Sequence, residues 1–242
     1  MSSLKDHVAV VTGAGRGIGQ ALALALAAQG ATLALVGRRL APLESVAEAV
    51  RKLGVPARVY SVDLACEGQV HELSAALKSD FGRVDVLVHN AGIVHMGSVA
   101  EAPIADFDLQ FRTNLLSPYV LTQDLLPLLL QCEGQIVFIN SSAGLTARAN
   151  VGQFAATKHA LKAIADSLRD EVNRHGVRVL SVYPGRTATP NQERLHAIER
   201  RPYRPERLLQ PEDVAAVVIN ALCLPRTAEV TEIKIRSMMK FD

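Results

Sequence analysis

Seven short runs rich in Val, Ile and Leu alternate with longer stretches of helical spacing, and this alternation leaves few folds open to the chain. The apolar runs fall at 8–11, 32–36, 58–62, 84–89, 135–140, 177–183 and 232–236. They carry little polar alternation, which is the pattern of strands covered on both faces. Helical segments are expected near 17–29, 40–53, 67–81, 104–131, 151–175 and 211–223. The last opens with Pro211, Glu212 and Asp213, a helix start with acidic residues in its first turn. Repeated strand–helix alternation predicts parallel strands joined by right-handed crossovers. The expected architecture is α/β: one doubly wound domain spanning 1–242, with a mostly parallel seven-stranded sheet and helices on both faces. The stretch 187–210 does not fit, with Pro190, Pro202, Pro205 and five arginines. It reads as an irregular functional or mobile loop.

Charge and cysteine content exclude several classes of partner. The net charge of +2 gives no electrostatic case for nucleic acid or an anionic membrane. Cys66, Cys132 and Cys223 lie far apart, so neither a metal knuckle nor a disulfide framework is expected. The two richest apolar stretches, 21–36 and 115–130, are interrupted by Gln29 and Gly30, and by Gln123, Asp124 and two prolines. Neither is an uninterrupted membrane span, and the first residues lack a signal-peptide core. A soluble, cytoplasmic protein without a metal is the expectation.

Directly after the first strand comes Thr12-Gly13-Ala14-Gly15-Arg16-Gly17-Ile18-Gly19. Glycines there let the backbone turn tightly and let phosphate oxygens approach the amides of the next helix. The spacing T-G-x-x-x-G-x-G differs from the common G-x-G-x-x-G, and a glycine-rich turn alone is weak evidence; its place between strand and helix strengthens it. The second strand ends in Arg38 and Arg39, where a site for NAD would place a carboxylate against the ribose 2′-hydroxyl. Arginine suits a 2′-phosphate, and Arg16 can reach the same group. The cofactor expected is therefore NADP(H), against the alternative that these arginines are merely solvated.

Five motifs then follow in order: the glycine loop, Asp63-Leu64, His89-Asn90-Ala91-Gly92, Ser141, and Tyr183-Pro184-Gly185. In this order and spacing the chain resembles the short-chain dehydrogenases/reductases of about 250 residues, with a Rossmann-type fold, over nearly its whole length. The resemblance implies that Asp63 and Leu64 contact the adenine and that Asn90, Ala91 and Gly92 line the nucleotide wall. It implies that Pro184, Gly185, Thr187 and Thr189 hold the nicotinamide end. His89 departs from the usual asparagine. The expected substrate is a small carbonyl or alcohol compound.

The resemblance also implies a catalytic set of Ser141, a tyrosine, Lys158 and Asn114, with Asn114 anchoring a water beside the lysine. Here the tyrosine's position is occupied by Phe154, thirteen residues after Ser141 and four before Lys158. In the family the phenol gives its proton to the nascent alkoxide, the lysine lowers its pKa and holds the ribose, and the serine binds the substrate oxygen. A phenyl ring donates nothing. Four readings stay open. Phe154 replaces, by design, the tyrosine of an ordinary carbonyl reductase, which is thereby impaired. The substrate is an iminium that needs no proton. Tyr183 substitutes as donor. The protein binds NADP(H) as a sensor without turnover.

Arg194, Arg200, Arg201, Arg204 and Arg207 lie in the segment that caps the substrate in this family. They are either a solvated lid or an attractor for an acidic substrate such as an acyl thioester of phosphopantetheine. The helices at 104–131 and 151–175 carry more apolar surface than one sheet face covers, so a homodimer or homotetramer is expected.

Overall fold

The computed structural model describes residues 4–239. Its strands are β1 (Val8–Thr12), β2 (Thr32–Gly37), β3 (Ala57–Ser61), β4 (Val86–His89), β5 (Gln135–Ile139), β6 (Arg178–Pro184) and β7 (Glu232–Ile235). They form one sheet in the order β3-β2-β1-β4-β5-β6-β7, and every neighbouring pair is parallel. The expected doubly wound α/β architecture is what the chain adopts.

Alternation along each strand sends side chains to two separate cores. Ala9, Val11, Leu33 and Leu35 face one side, where α1 (Gly17–Ala28), α2 (Leu40–Lys52) and α8 (Pro211–Leu222) supply Leu22, Leu43 and Val218. Val10, Ala34, Val36 and Leu87 face the other, against α3 (Glu67–Phe81), α5 (Ser117–Gln131) and α6 (Gly152–Val172), which supply Leu73, Leu121 and Leu161. Because both faces are covered, the strands can be apolar throughout.

Two expectations are corrected. The helix foreseen at 104–131 is three pieces: α4 (Ile104–Phe111), a π-helical turn over Arg112–Leu116, and α5. The extra residue of a π turn rotates the helix face locally and is common at functional sites. The stretch 187–210 is not irregular throughout but contains α7 (Pro190–Ile198), capped by the Thr189 hydroxyl, which accepts from the Gln192 amide at 3.2 Å. Pro190 follows the cap, where its missing N–H is not needed.

Strand order reverses between β1 and β4, so the loops leaving their carboxyl ends diverge and open a crevice. Among the described residues, no helix is long and apolar enough to cross a membrane and no group of side chains is placed to hold a metal ion.

Candidate active site

The crevice is a cleft of about 660 Å³ built from successive loops. The first loop contributes Gly13, Gly15, Arg16, Gly17 and Ile18; Arg38 and Arg39 come from the end of β2; Asp63 and Leu64 follow β3; Asn90, Ala91 and Gly92 follow β4. Thr189 closes it from the lid. Gly19 lies beneath the floor rather than on it, fully packed under Gly13 and Asn90.

Local chemistry explains the loop's shape. Gly13 has φ +67°, and a Cβ there would come within 2.9 Å of the Ala91 Cα and the Asn90 amide nitrogen. Thr12 ties the two loops together: its hydroxyl donates to the Val88 carbonyl at 3.1 Å and accepts from the amides of Asn90 and Ala91 at 3.0 and 3.1 Å. The Asn90 side chain returns the tie, donating to the carbonyls of Thr12 and Gly13 at 3.0 and 3.2 Å. The Arg16 guanidinium is pushed below its ordinary pKa by burial and by the nearby charges of Arg39, Arg38 and Arg194. Four cations converging on one cleft need an anion to relieve their repulsion. The loop closed to a Cβ at Gly13 and this cationic end together fit a phosphorylated dinucleotide.

Lys158 is buried on α6, and its ammonium donates to the Ile139 carbonyl at 3.1 Å. Burial lowers its pKa to about 8. The Phe154 ring lies one turn earlier, with its centroid 5.9 Å from the Lys158 Nζ. Asn114 sits in the π turn, where its side chain bonds both the amide and the carbonyl of Ile93 at 2.8 and 2.9 Å. It also donates to the Thr157 hydroxyl at 3.2 Å, which in turn donates to the Phe154 carbonyl at 2.8 Å. A Cβ on Gly92 would stand 3.3 Å from the Asn114 Oδ1 and 3.7 Å from the Lys158 Nζ, so these three positions meet. Ser141 lies two residues past β5, half-buried, its Oγ accepting from the Ala143 amide at 3.1 Å.

The expected nicotinamide-end residues are not all alike. Thr189 faces the cleft, Gly185 lines a second cavity, and Pro184 is buried at the end of β6. Thr187 is also buried, its hydroxyl turned onto the Gly185 carbonyl at 3.1 Å.

Tyr183 is not placed to donate. Its side chain is buried, its hydroxyl lies 3.4 Å from the Glu232 carboxylate, and Glu232 is bonded to Lys162 rather than Lys158. Burial raises its pKa further. Nor do the other tyrosines serve: Tyr60 bonds Asp80, Tyr119 is exposed on α5, and Tyr203 packs edge-on to His196 in the lid. Of the lid arginines, Arg194 reaches the cleft, donating to the Val94 carbonyl at 2.7 Å.

Sequence reasoning missed Asn140. Its buried amide donates to the Lys158 carbonyl at 3.0 Å and accepts from the Ser141 amide at 2.9 Å, fastening helix to strand end. Its position just before Ser141 was the available signal. It also missed His95, which lines the cleft with its Nδ1 3.1 Å from the Asp106 carboxylate.

Known proteins resemble this chain in sequence and fold. Residues 7–200 match the family model described as short chain dehydrogenase. An uncharacterized oxidoreductase of Staphylococcus epidermidis is 34% identical over 237 residues, covering 98% of this chain and 99% of that protein. An alcohol dehydrogenase from the archaeon Thermococcus sibiricus, complexed with 5-hydroxy-NADP, superposes with a TM-score of 0.88 at 30% identity over 98% of both chains. A metagenomic short-chain oxidoreductase in complex with NADP superposes with a TM-score of 0.85 at 29% identity, over 99% of this chain and 100% of that one. The chain belongs to the short-chain dehydrogenase family of oxidoreductases.

Proposed function

We propose that this protein is an NADP(H)-dependent oxidoreductase acting between a carbonyl and an alcohol, slowed at proton transfer by Phe154. The observation that carries the cofactor choice is the convergence of Arg16, Arg38 and Arg39 on the cleft, with no carboxylate at the end of β2. A 2′-phosphate satisfies these guanidinium groups, whereas an unphosphorylated ribose leaves them facing one another. The NADP complexes of two similar structures agree with this.

NADPH, when bound, supplies the hydride. The chain's own task is to hold the carbonyl and manage the proton. In this reading Ser141 donates a hydrogen bond to the substrate oxygen, and Lys158 binds the ribose next to Gly92. Asn114 and Asn140 hold the lysine's helix in register with the strand ends. The proton has no phenol to come from. Loss of such a general acid costs on the order of 10²–10⁴ in rate. Two readings of Phe154 follow: a tyrosine replaced in an otherwise intact reductase, or a site for hydride delivery to a preformed iminium. The second needs no proton donor, and no tyrosine hydroxyl among the described residues stands in for the missing one.

The test combines binding and turnover. NADPH should bind more tightly than NADH by fluorescence titration, and Phe154→Tyr should raise NADPH-dependent ketone reduction by ~10²–10⁴ while leaving NADPH affinity unchanged. Equal affinity for the two cofactors overturns the cofactor assignment. No gain in the Tyr variant on ketones, with activity on cyclic iminium compounds in the parent, selects the second reading.

A further inference from the structure

A second cavity, of about 470 Å³, is lined by residues adjoining the same machinery. Its wall includes Ser142 and Ala143, which follow Ser141 in a tight turn, and Val151, which precedes the helix of Phe154 and Lys158. Gly185 forms another side, and its amide donates to the Ile235 carbonyl at 2.8 Å, which brings the end of β7 against it. A Cβ on Gly185 would lie 3.3 Å from the Cβ of Arg236.

What distinguishes this cavity is its charge. Arg148, Arg186 and Arg236 all line it, and no acidic residue among the described ones does. Arg186 is neutralised by Glu199, which it grips with two hydrogen bonds of 2.6 Å. The Glu199 carboxylate is held below its usual pKa by that contact. Arg148 and Arg236 have no ion-pair partner among the described residues, and both are exposed at the cavity wall. Two uncompensated guanidinium groups therefore face a space that also carries the hydroxyls of Ser142 and Thr146, while the Ser237 hydroxyl donates to the Met239 carbonyl at 3.1 Å. Guanidinium forks and hydroxyl donors form the donor set of an oxoanion site.

We propose that the substrate carries an oxoanion, a carboxylate or a phosphate, which Arg148 and Arg236 hold while its carbonyl or hydroxyl carbon lies toward Ser141. This rests on the oxidoreductase reading above and names the substrate class within it. The charge of the cavity decides between substrates: the field that attracts an oxoanion repels a preformed iminium, so the two classes give opposite dependence on ionic strength. The site is separate from the arginines of the nucleotide cleft, none of which lines this cavity.

The test titrates the full-length protein, first with NADPH by fluorescence and then, with NADPH in place and also without it, with three probes by calorimetry. The probes are levulinate, dihydroxyacetone phosphate and the neutral methyl levulinate. We expect at least one anionic probe to bind about tenfold more tightly than the neutral ester, with the preference shrinking as salt rises. The preference should disappear in the double variant R148Q/R236Q, whose NADPH affinity and melting temperature should match the parent. The two anionic probes tell a carboxylate site from a phosphate site. Equal binding of ester and anions overturns the proposal, as does an anion preference that survives R148Q/R236Q, or no binding of any probe at millimolar concentration. Failure to bind NADPH overturns the cofactor reading instead, and the cofactor-free titrations still decide the anion site through the double variant.

Discussion

Single substitutions test both the cofactor assignment and the acid stability. Arg38→Asp places a carboxylate where the 2′-phosphate is expected, so NADPH affinity should fall about 10- to 100-fold relative to NADH, the loss expected for one charge-assisted contact. Competitive titration of the two cofactors measures it. His89 is a different case: it is buried, shares a 2.7 Å hydrogen bond with Thr122 and stacks on Phe138 at 4.9 Å. Burial drives its pKa down to about 3, so it stays neutral in the folded state. Unfolded, it takes a proton below about 6.5. Stability from His89 is therefore intact above that pH and is lost as pH falls towards 3, at up to ~1.4 kcal/mol per pH unit. His89→Asn should flatten the fall in melting temperature between neutral pH and pH ~4.5; an unchanged slope would show that the ring is protonated in the fold. Motif spacing made Asn90, Ser141, Phe154 and Lys158 legible because each sits at a strand end or helix turn whose position the apolar runs fix. Asn140 was not legible: one residue before a serine, an asparagine looks like any strand-end polar group until the Lys158 carbonyl is found beside it.

At the scale of elements, the glycine loop and α1 form one packed unit. Gly19 leaves no room for a side chain, because a Cβ there would collide with the Gly13 carbonyl oxygen and crowd the Asn90 amide. Gly19→Ala must push α1 away from the loop, and a forced shift of this kind costs on the order of 1–3 kcal/mol. The expected result is a lowered melting temperature together with weakened NADPH binding; a variant with parent-like values for both would show that the loop can yield. The strands and five of the long helices were readable from periodicity. The break over Arg112–Leu116 was not, because a π turn keeps helical composition and only its hydrogen bonds differ. Helix α7 had readable signals in Thr189, Pro190 and Glu193, the cap, first-position proline and first-turn acid of a helix start. They were outweighed by the prolines and arginines that follow.

The whole molecule leaves apolar groups uncovered along α4 and α5, where Ile104, Phe111 and Tyr119 are 78%, 43% and 47% exposed. Large exposed apolar side chains grouped on one side mark contact surfaces. Light scattering should give two or four times the mass of one chain, and Phe111→Glu with Tyr119→Glu should reduce it to one. A parent that is monomeric at micromolar concentration would rule out a homo-oligomer through this face. The order of the sheet carries a consequence for synthesis. β1 leaves the ribosome first, yet it must pair with β4, with Ala9 opposite Val86. Until residues 86–89 emerge, one edge of a strand that ends up fully buried stands open, while β2, backed by β3, already covers the other. From β5 onward each new strand meets an edge that is ready for it. The nascent chain is therefore most exposed to mispairing between the third and fourth strands, and a ribosome stalled there presents a sticky half-sheet that chaperones must shield.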